Sequence, residues 1–315
     1  MKIIDFNKIK SLNLSAEEIY RWTADVWKLQ DTFVLPAKTK MWQGDSGRYI
    51  TMPCILPQYD IAGVKFICRN VDDADGLPAR NSNIMLQNCS KHGLLAVMDG
   101  TYITSMRTGA NAAYNAITFS KSTPQTLAVY GLGLAARAFM FFYSAVYKQP
   151  ITVKVLRYKN QAELFIEEFK SNELLNFQIC DSLEELFCSD IVVSCVSFAR
   201  KELCDISVYP EGCTVIPVHT SGFQNCDLAF DKVVVDDIEH VKGYRYFDEF
   251  QNKMLRITDV ANKKVKGRDN DWQRMVVYDG GIALHDLYFA MKILEKVGED
   301  CTQIPMSYPE ERFWI

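Results

Sequence analysis

An α/β architecture, with a doubly wound parallel sheet joined to a second region of mainly antiparallel strands, is what this 315-residue chain predicts. Three observations carry it. The run Thr126-Leu-Ala-Val-Tyr-Gly131-Leu-Gly133-Leu-Ala-Ala136 reads as an apolar strand, a glycine-rich turn and the start of a helix. From Thr126 onward strand-like and helical segments alternate, which calls for parallel strands with crossover helices. Between Asp31 and Asp99, by contrast, short extended runs are broken by turn residues, the pattern of hairpins.

Ser15-Ala-Glu-Glu18 is a capping box, in which the serine hydroxyl and the Glu18 carboxylate can satisfy each other's orphan amides, so a helix is expected from there to about Lys28. In the hairpin region, turns are expected at Pro53, Asp60, Ala62-Gly63, 75–78, Lys91-His-Gly93 and Asp99-Gly100. A helix over 104–119 carries Gly109, Ala110, Ala112, Ala113 and Ala116, small enough for close backbone packing. Strands are then expected at 126–130, 152–156, 191–194, 214–218 and 232–235, with helices reaching about Tyr147 and covering 161–169. A last long helix over 280–296 is expected to pack back on the N-terminal region. The expected domains are therefore 1–120, completed by 280–315, and a dinucleotide-binding (Rossmann) domain over 121–279.

Composition narrows the function. With 48% hydrophobic and 23% charged residues the chain can bury large cores. A net charge of -4 without long blocks leaves no electrostatic footprint for nucleic acid or an anionic membrane. No apolar run approaches the roughly 20 residues of a membrane span, and the first residues lack a signal peptide's apolar core, so a cytoplasmic protein is expected. Ten cysteines are scattered without a C-x-x-C, which points to buried reduced thiols and to no metal site.

The glycine turn points to a nicotinamide dinucleotide, NAD or NADP. Gly131 allows the tight turn, Gly133 lets backbone amides approach a pyrophosphate at the helix start near Leu134, and Ala136 lets that helix pack closely. Leu132, Leu134 and Ala135 complete the turn. At the end of the second nucleotide strand, Ile151-Thr-Val-Lys-Val-Leu-Arg157-Tyr-Lys159, Arg157 stands where NAD enzymes place a carboxylate, so NADP(H) is favoured.

Several patterns in order resemble the ornithine cyclodeaminase/mu-crystallin family. They are Pro36-Ala-Lys38, Met52-Pro53, Gly63-Val-Lys65, Gly93-Leu-Leu-Ala-Val-Met-Asp-Gly100, Ile103-Thr-Ser-Met-Arg-Thr-Gly-Ala110, the glycine turn, Val233-Val-Val-Asp-Asp237, Gly267-Arg268 and Asp279-Gly-Gly-Ile-Ala-Leu-His-Asp286. The resemblance implies a bound NAD or NADP, hydride chemistry at the carbon bearing nitrogen in an amino acid or imine, and a homodimer formed through the N-terminal sheet. Arg107 and Lys65 fall on the family's carboxylate-binding arginine and lysine, and Lys38 falls where another arginine is usual. The alternative for all three is a solvated surface charge. Thr108 and Gly281 join Arg157 and the turn in the expected cofactor set.

Where cyclodeaminases carry a proton-exchanging aspartate, this chain places Phe223 or Gln224, leaving His219 and Asp227 as replacement acid/base groups. His92 and His240 lie in turn-like surroundings and are given no function; His285 reads as a packed helix histidine. The expected activity is an imine reductase or amino-acid dehydrogenase. Its alternatives are an ornithine cyclodeaminase that recycles its cofactor, or a non-catalytic NADP- or small-ligand-binding protein.

Overall fold

The computed structural model describes residues 1–44, 47–69, 80–196, 198–219 and 221–308. The turn expected at 75–78 and the end of the 280–315 segment lie outside the described residues. The chain divides into two compact units, Met1–Leu14 with Thr32–Thr104 and Ala283–Ile315, and Ser15–Asp31 with Ser105–Ile282. The expected border after residue 120 therefore moves back into the helix Thr101–Phe119. Its cause is packing within the second unit, where a Cβ on Gly109 would lie 2.4 Å from the Ala138 carbonyl carbon of the helix Leu134–Val146. Residues 15–31 join the same unit because the helix Ala16–Leu29 packs on Leu134–Val146 and on Ile257–Ala261. Ser15 caps it as expected, its hydroxyl accepting from the Glu18 amide.

In the first unit the strands are β1 (Lys2–Ile4), β2 (Thr39–Gln43), β3 (Gly47–Leu56), β4 (Ile61–Arg69), β5 (Arg80–Asn88) and β6 (Leu94–Asp99). They form one sheet in the order β1-β6-β5-β4-β3-β2, with the short strand Thr302–Gln303 outside β1. β2 to β6 are antiparallel neighbours, while β1, which the sequence did not suggest, runs parallel to β6. Two expected turns prove to be strand interior. Ala62-Gly63 lies in β4, where a Cβ on Gly63 would meet the Met85 carbonyl oxygen at 2.4 Å and Leu287 at 3.0 Å. Pro53 lies in β3 between the last β2 pair, Thr39 with Thr51, and an isolated bridge of Val34 with Ile55. Because Ile55 exchanges both backbone bonds with Val34, Pro53, two residues away, turns its missing N–H toward the same side, where the ladder is already interrupted.

The period of two then sorts the side chains. Ile50, Met52, Cys54, Lys65, Ile84 and Leu86 share the buried face, on which the helix Ala283–Val297 packs. That helix starts three residues later than expected, after Gly281 at φ +77°. Met41, Ile55, Phe66 and Met85 share the other face and are exposed.

The second unit holds β7 (Thr126–Tyr130), β8 (Ile151–Leu156), β9 (Leu175–Cys180), β10 (Ile191–Ser194), β11 (Thr214–Pro217), β12 (Lys232–Val235), β13 (Met254–Arg256) and β14 (Met275–Tyr278). All pairs are parallel, in the order β13-β12-β14-β11-β10-β7-β8-β9. The chain runs outward from β7 to β9, then returns to the other side of β7 at β10. This reversal is the topological switch point at which open parallel sheets bind ligands.

Arg268 ties this unit together. Its guanidinium donates to the carbonyls of Phe119, Gly212 and Gln273 and to Thr214 Oγ1, closing the end of the helix Thr101–Phe119 onto β11. All ten cysteines are free, but only Cys54, Cys180, Cys204, Cys213 and Cys226 are buried, and Cys188 is exposed, so burial of every thiol was an overstatement. Among the described residues no helix is long and apolar enough to cross a membrane.

Candidate functional site

Parallel strands end on one edge of their sheet. On that edge the glycine turn follows β7, Cys195 and Val196 follow β10, Val218 and His219 follow β11, Asp236 follows β12 and Asp279 follows β14. Gly131 stands at φ +84°, and a Cβ on it would lie 2.7 Å from the Val196 amide nitrogen. Only glycine fits there. Gly133 is different in kind: it begins the helix Leu134–Val146 at φ -81°, and an added Cβ would meet nothing within 4 Å. With no side chain capping this helix, its first amides face an open cradle that a side chain would fill, which fits a pyrophosphate. Leu132 and Ala136 are buried beneath the turn, Leu134 is exposed and Ala135 half-buried.

On the same edge Arg107, Thr108, Ala112, Ile216, Val218 and Asp279 line a small cavity that opens to solvent. Arg107 is 8% exposed, so it is not a solvated surface charge. Gly281 makes room for it, since a Cβ there would lie 2.4 Å from Nη1. The structure thus gives Gly281 a packing reason of its own, distinct from cofactor contact. Asp279 Oδ1 accepts from the Gly281 amide and Oδ2 from Asn115 Nδ2, both at 3.2 Å. Burial pushes its carboxyl up to about 7; the neighbouring Asp236 adds to this and Arg107 opposes it. Asp236 is fully buried, with Oδ1 accepting from the Asp237 amide at 2.7 Å and lying 3.1 Å from His240 Nδ1. Its Oδ2 has no hydrogen-bond partner among the described residues.

Sequence reasoning quoted the motifs containing Asp236 and Asp279 without singling either out, and it set His240 aside. The available signal was position: each aspartate comes directly after a short apolar run, at a strand's carboxyl end.

In the first unit Lys65 Nζ lies 2.6 Å from Asp286 Oδ2, and both side chains are fully buried. Thr104 Oγ1 is 3.5 Å from the ammonium and 3.2 Å from Ser82 Oγ. Lys65 is therefore no surface charge, but neither does it open to solvent. Asp286 raises the Cys54 thiol further after burial has pushed it up, to about 12 in all. A carboxylate on the apolar face of Ala283–Val297 requires a partner, and that rule would have found Asp286 from the sequence. Lys38 is half-buried just before β2, and His285 is buried with its ring edge-on to Phe289.

Three expected roles meet contrary geometry. His219 Nε2 is 2.7 Å from Ser194 Oγ and Nδ1 is 3.0 Å from Ser221 Oγ, and burial pushes the imidazole down to about 4. Burial thus favours the neutral imidazole, whose two nitrogens both face hydroxyls. Asp227 is fully buried; Tyr278, a member of the apolar cluster, donates to its Oδ1 at 2.7 Å, and its Oδ2 has no hydrogen-bond partner among the described residues. Burial raises its carboxyl to about 7, but nothing on the glycine-turn edge touches it in the contacts above. Arg157 is exposed as expected, yet its Nε donates to Asp181 at 2.6 Å and Nη1 lies 3.7 Å from Glu163. Arg157 therefore shares its charge with two carboxylates. Phe223 is buried and Gln224 accepts from the Gly222 amide, so neither supplies a titrating group.

The sequence model of the ornithine cyclodeaminase/mu-crystallin family matches residues 3–300. The nodulation efficiency protein NfeD of Rhizobium meliloti is 24% identical over 251 residues, 78% of each chain. The mouse ketimine reductase mu-crystallin is 24% identical over 154 residues, covering 47% of this chain and 48% of its own length. Among solved structures, an archaeal alanine dehydrogenase dimer with bound NAD superposes with a TM-score of 0.86 at 21% identity, covering 98% of this chain and 99% of the other. The Δ1-pyrroline-2-carboxylate reductase of Thermococcus litoralis, in complex with NADH and L-proline, gives 0.84 at 21% identity over 96% and 100%. The motifs, the two sheets and the match along nearly all of the sequence agree: the chain belongs to the ornithine cyclodeaminase/mu-crystallin family.

Proposed function

We propose that this protein binds a nicotinamide dinucleotide along the β7/β10 edge and uses it to transfer hydride at the α carbon of an amino acid or its imine, as an imine reductase or amino-acid dehydrogenase. The observation that carries this reading is the shared edge of the parallel sheet, where the open Gly133 cradle and the Arg107 cavity both lie. When bound, the dinucleotide supplies or accepts the hydride; the chain's own residues position and charge-match the substrate. Arg107 offers a planar, fixed cation to the substrate carboxylate. Lys65 is committed to Asp286, so the clamp on the carboxylate rests on Arg107 in this reading. The NAD of the archaeal alanine dehydrogenase and the NADH and L-proline of the Thermococcus reductase support the assignment through the common fold. Cyclisation of ornithine is disfavoured by Phe223 and Gln224, neither of which titrates in the working pH range. Ten free thiols suit a reducing, cytoplasmic compartment.

The partner in assembly is a second copy. Met41, Ile55, Phe66 and Met85 leave an apolar row on the open face of the first sheet, and the alanine dehydrogenase relative is itself a dimer. Light scattering is expected to give a dimer for the native chain and a monomer for Phe66→Glu; a native monomer would refute the pairing.

Gly133→Val introduces no clash in the empty protein, so it should fold normally and lose dinucleotide binding. NADH fluorescence titration of the folded variant checks this, and unchanged affinity would remove the ground for a cofactor. Arg107→Ala should leave that titration nearly unchanged and lower kcat/KM for an imine or amino acid by about 2 kcal/mol, the scale of a lost charge-assisted contact. Native protein that binds NADH tightly yet gives no absorbance change across a panel of amino acids, and of 2-oxo acids with amines, would indicate a binding protein. The preference for NADP(H) rests on Arg157 alone, and Asp181 with Glu163 offsets that charge. Asp181→Asn should therefore improve NADPH affinity relative to NADH by roughly threefold, as expected for an exposed pair. Equal changes for both cofactors would take Arg157 out of the ribose site.

A further inference from the structure

We infer that Asp279 is the group that exchanges the proton with the substrate nitrogen, in the cavity it shares with Arg107. This rests on the reading of the preceding section. An amino acid or its imine presents a carboxylate and a nitrogen one carbon apart, and the described lining of the cavity offers one guanidinium and one carboxyl, with Thr108 and the apolar Ala112, Ile216 and Val218 around them. The other candidates are not among the lining residues: His219 lies between two hydroxyls, Asp227 is fully buried with Tyr278 donating to Oδ1, and Phe223 and Gln224 cannot titrate. Asp279 is also held in place. The Gly281 amide and Asn115 each donate to a different oxygen, fixing the plane of the carboxyl while it remains half-buried at the cavity wall.

In the reducing direction the carbon takes hydride from the reduced dinucleotide, and the π pair of the C=N bond moves to nitrogen and captures the Asp279 proton. Amine, oxidised dinucleotide and the Asp279 carboxylate result. In the oxidising direction the carboxylate takes that proton back. The charged and titratable groups around Asp279 are Arg107 on the helix Thr101–Phe119, Asp236 after β12, and His240, which pairs with Asp236. Asp236 is a like charge beside it, which favours a retained proton near neutrality.

The test uses Asp279→Asn and Asp236→Asn in the full chain, with NADH as cofactor and Δ1-pyrroline-2-carboxylate as probe. For Asp279→Asn, NADH affinity should stay within about threefold, while kcat for reduction falls roughly 100-fold or more. Native reduction should be lost as pH rises through about 7, because the protonated acid is the active form, and this decline should vanish in Asp279→Asn. In Asp236→Asn, removal of the like charge should move the decline to lower pH by about one unit. Infrared titration supplies a readout without turnover: native protein should show protonated-carboxyl absorption titrating near 7 from Asp279 and Asp227, and Asp279→Asn should remove one of the two components. Full activity with an unchanged pH decline in Asp279→Asn, or infrared absorption identical to native, overturns the inference. Failure of native protein to bind NADH or NADPH would instead overturn the cofactor reading on which it rests.

Discussion

Eight strands running the same way deliver all of their carboxyl ends to one edge, and the chemistry of the second unit depends on that constraint. β11, β12 and β14 are four residues each and almost wholly buried, so the first polar residue after each comes at the edge. His219, Asp236 and Asp279 are such residues. The reversal between β7 and β10 adds the switch point at which open parallel sheets bind ligands.

Small residues and buried charges then do opposite work around that edge. Gly109 brings one helix against the next at backbone distance, and Gly281 leaves the volume that the Arg107 guanidinium occupies. A charge taken out of water must be matched, and the chain matches three in different ways. Arg268 is satisfied by carbonyl oxygens and Thr214, which makes it a strut. Lys65 is satisfied by Asp286, which fixes β4 to the helix behind it. Arg107 lines a cavity, beside a carboxyl whose charge is opposed by burial. The difference between structural and chemical use lies in what faces each charge.

Much of this organisation was legible along the sequence because it is local. The helix cap at Ser15, the strands at 126–130, 191–194 and 232–235 and the glycine turn each announce themselves within a dozen residues, and the structure places them there. Of β9, β13 and β14, which escaped, only β13 is unusually short, at three residues. β9 in particular alternates half-buried and exposed residues at a sheet edge, where the pattern carries little apolar signal. Pro53 and Ala62-Gly63 misled for the reverse reason: residues that usually punctuate turns were tolerated inside strands where the ladder is broken or another element presses close.

The sequence by itself determined the α/β class, the nucleotide turn, the family and the identity of Arg107 and Lys65 as cations worth following, since these depend on backbone conformation, hydrophobic period and motif order. Only the tertiary structure decided what those cations face, that His219 is buried between two hydroxyls, that Arg157 is shared with Asp181 and Glu163, and that Asp236 and Asp279 stand together at one strand edge. Protonation and pairing are set by the burial and charge of neighbours distant along the chain. Asp236 and Asp279 are separated by 43 residues of sequence and brought side by side only because β14 inserts between β11 and β12.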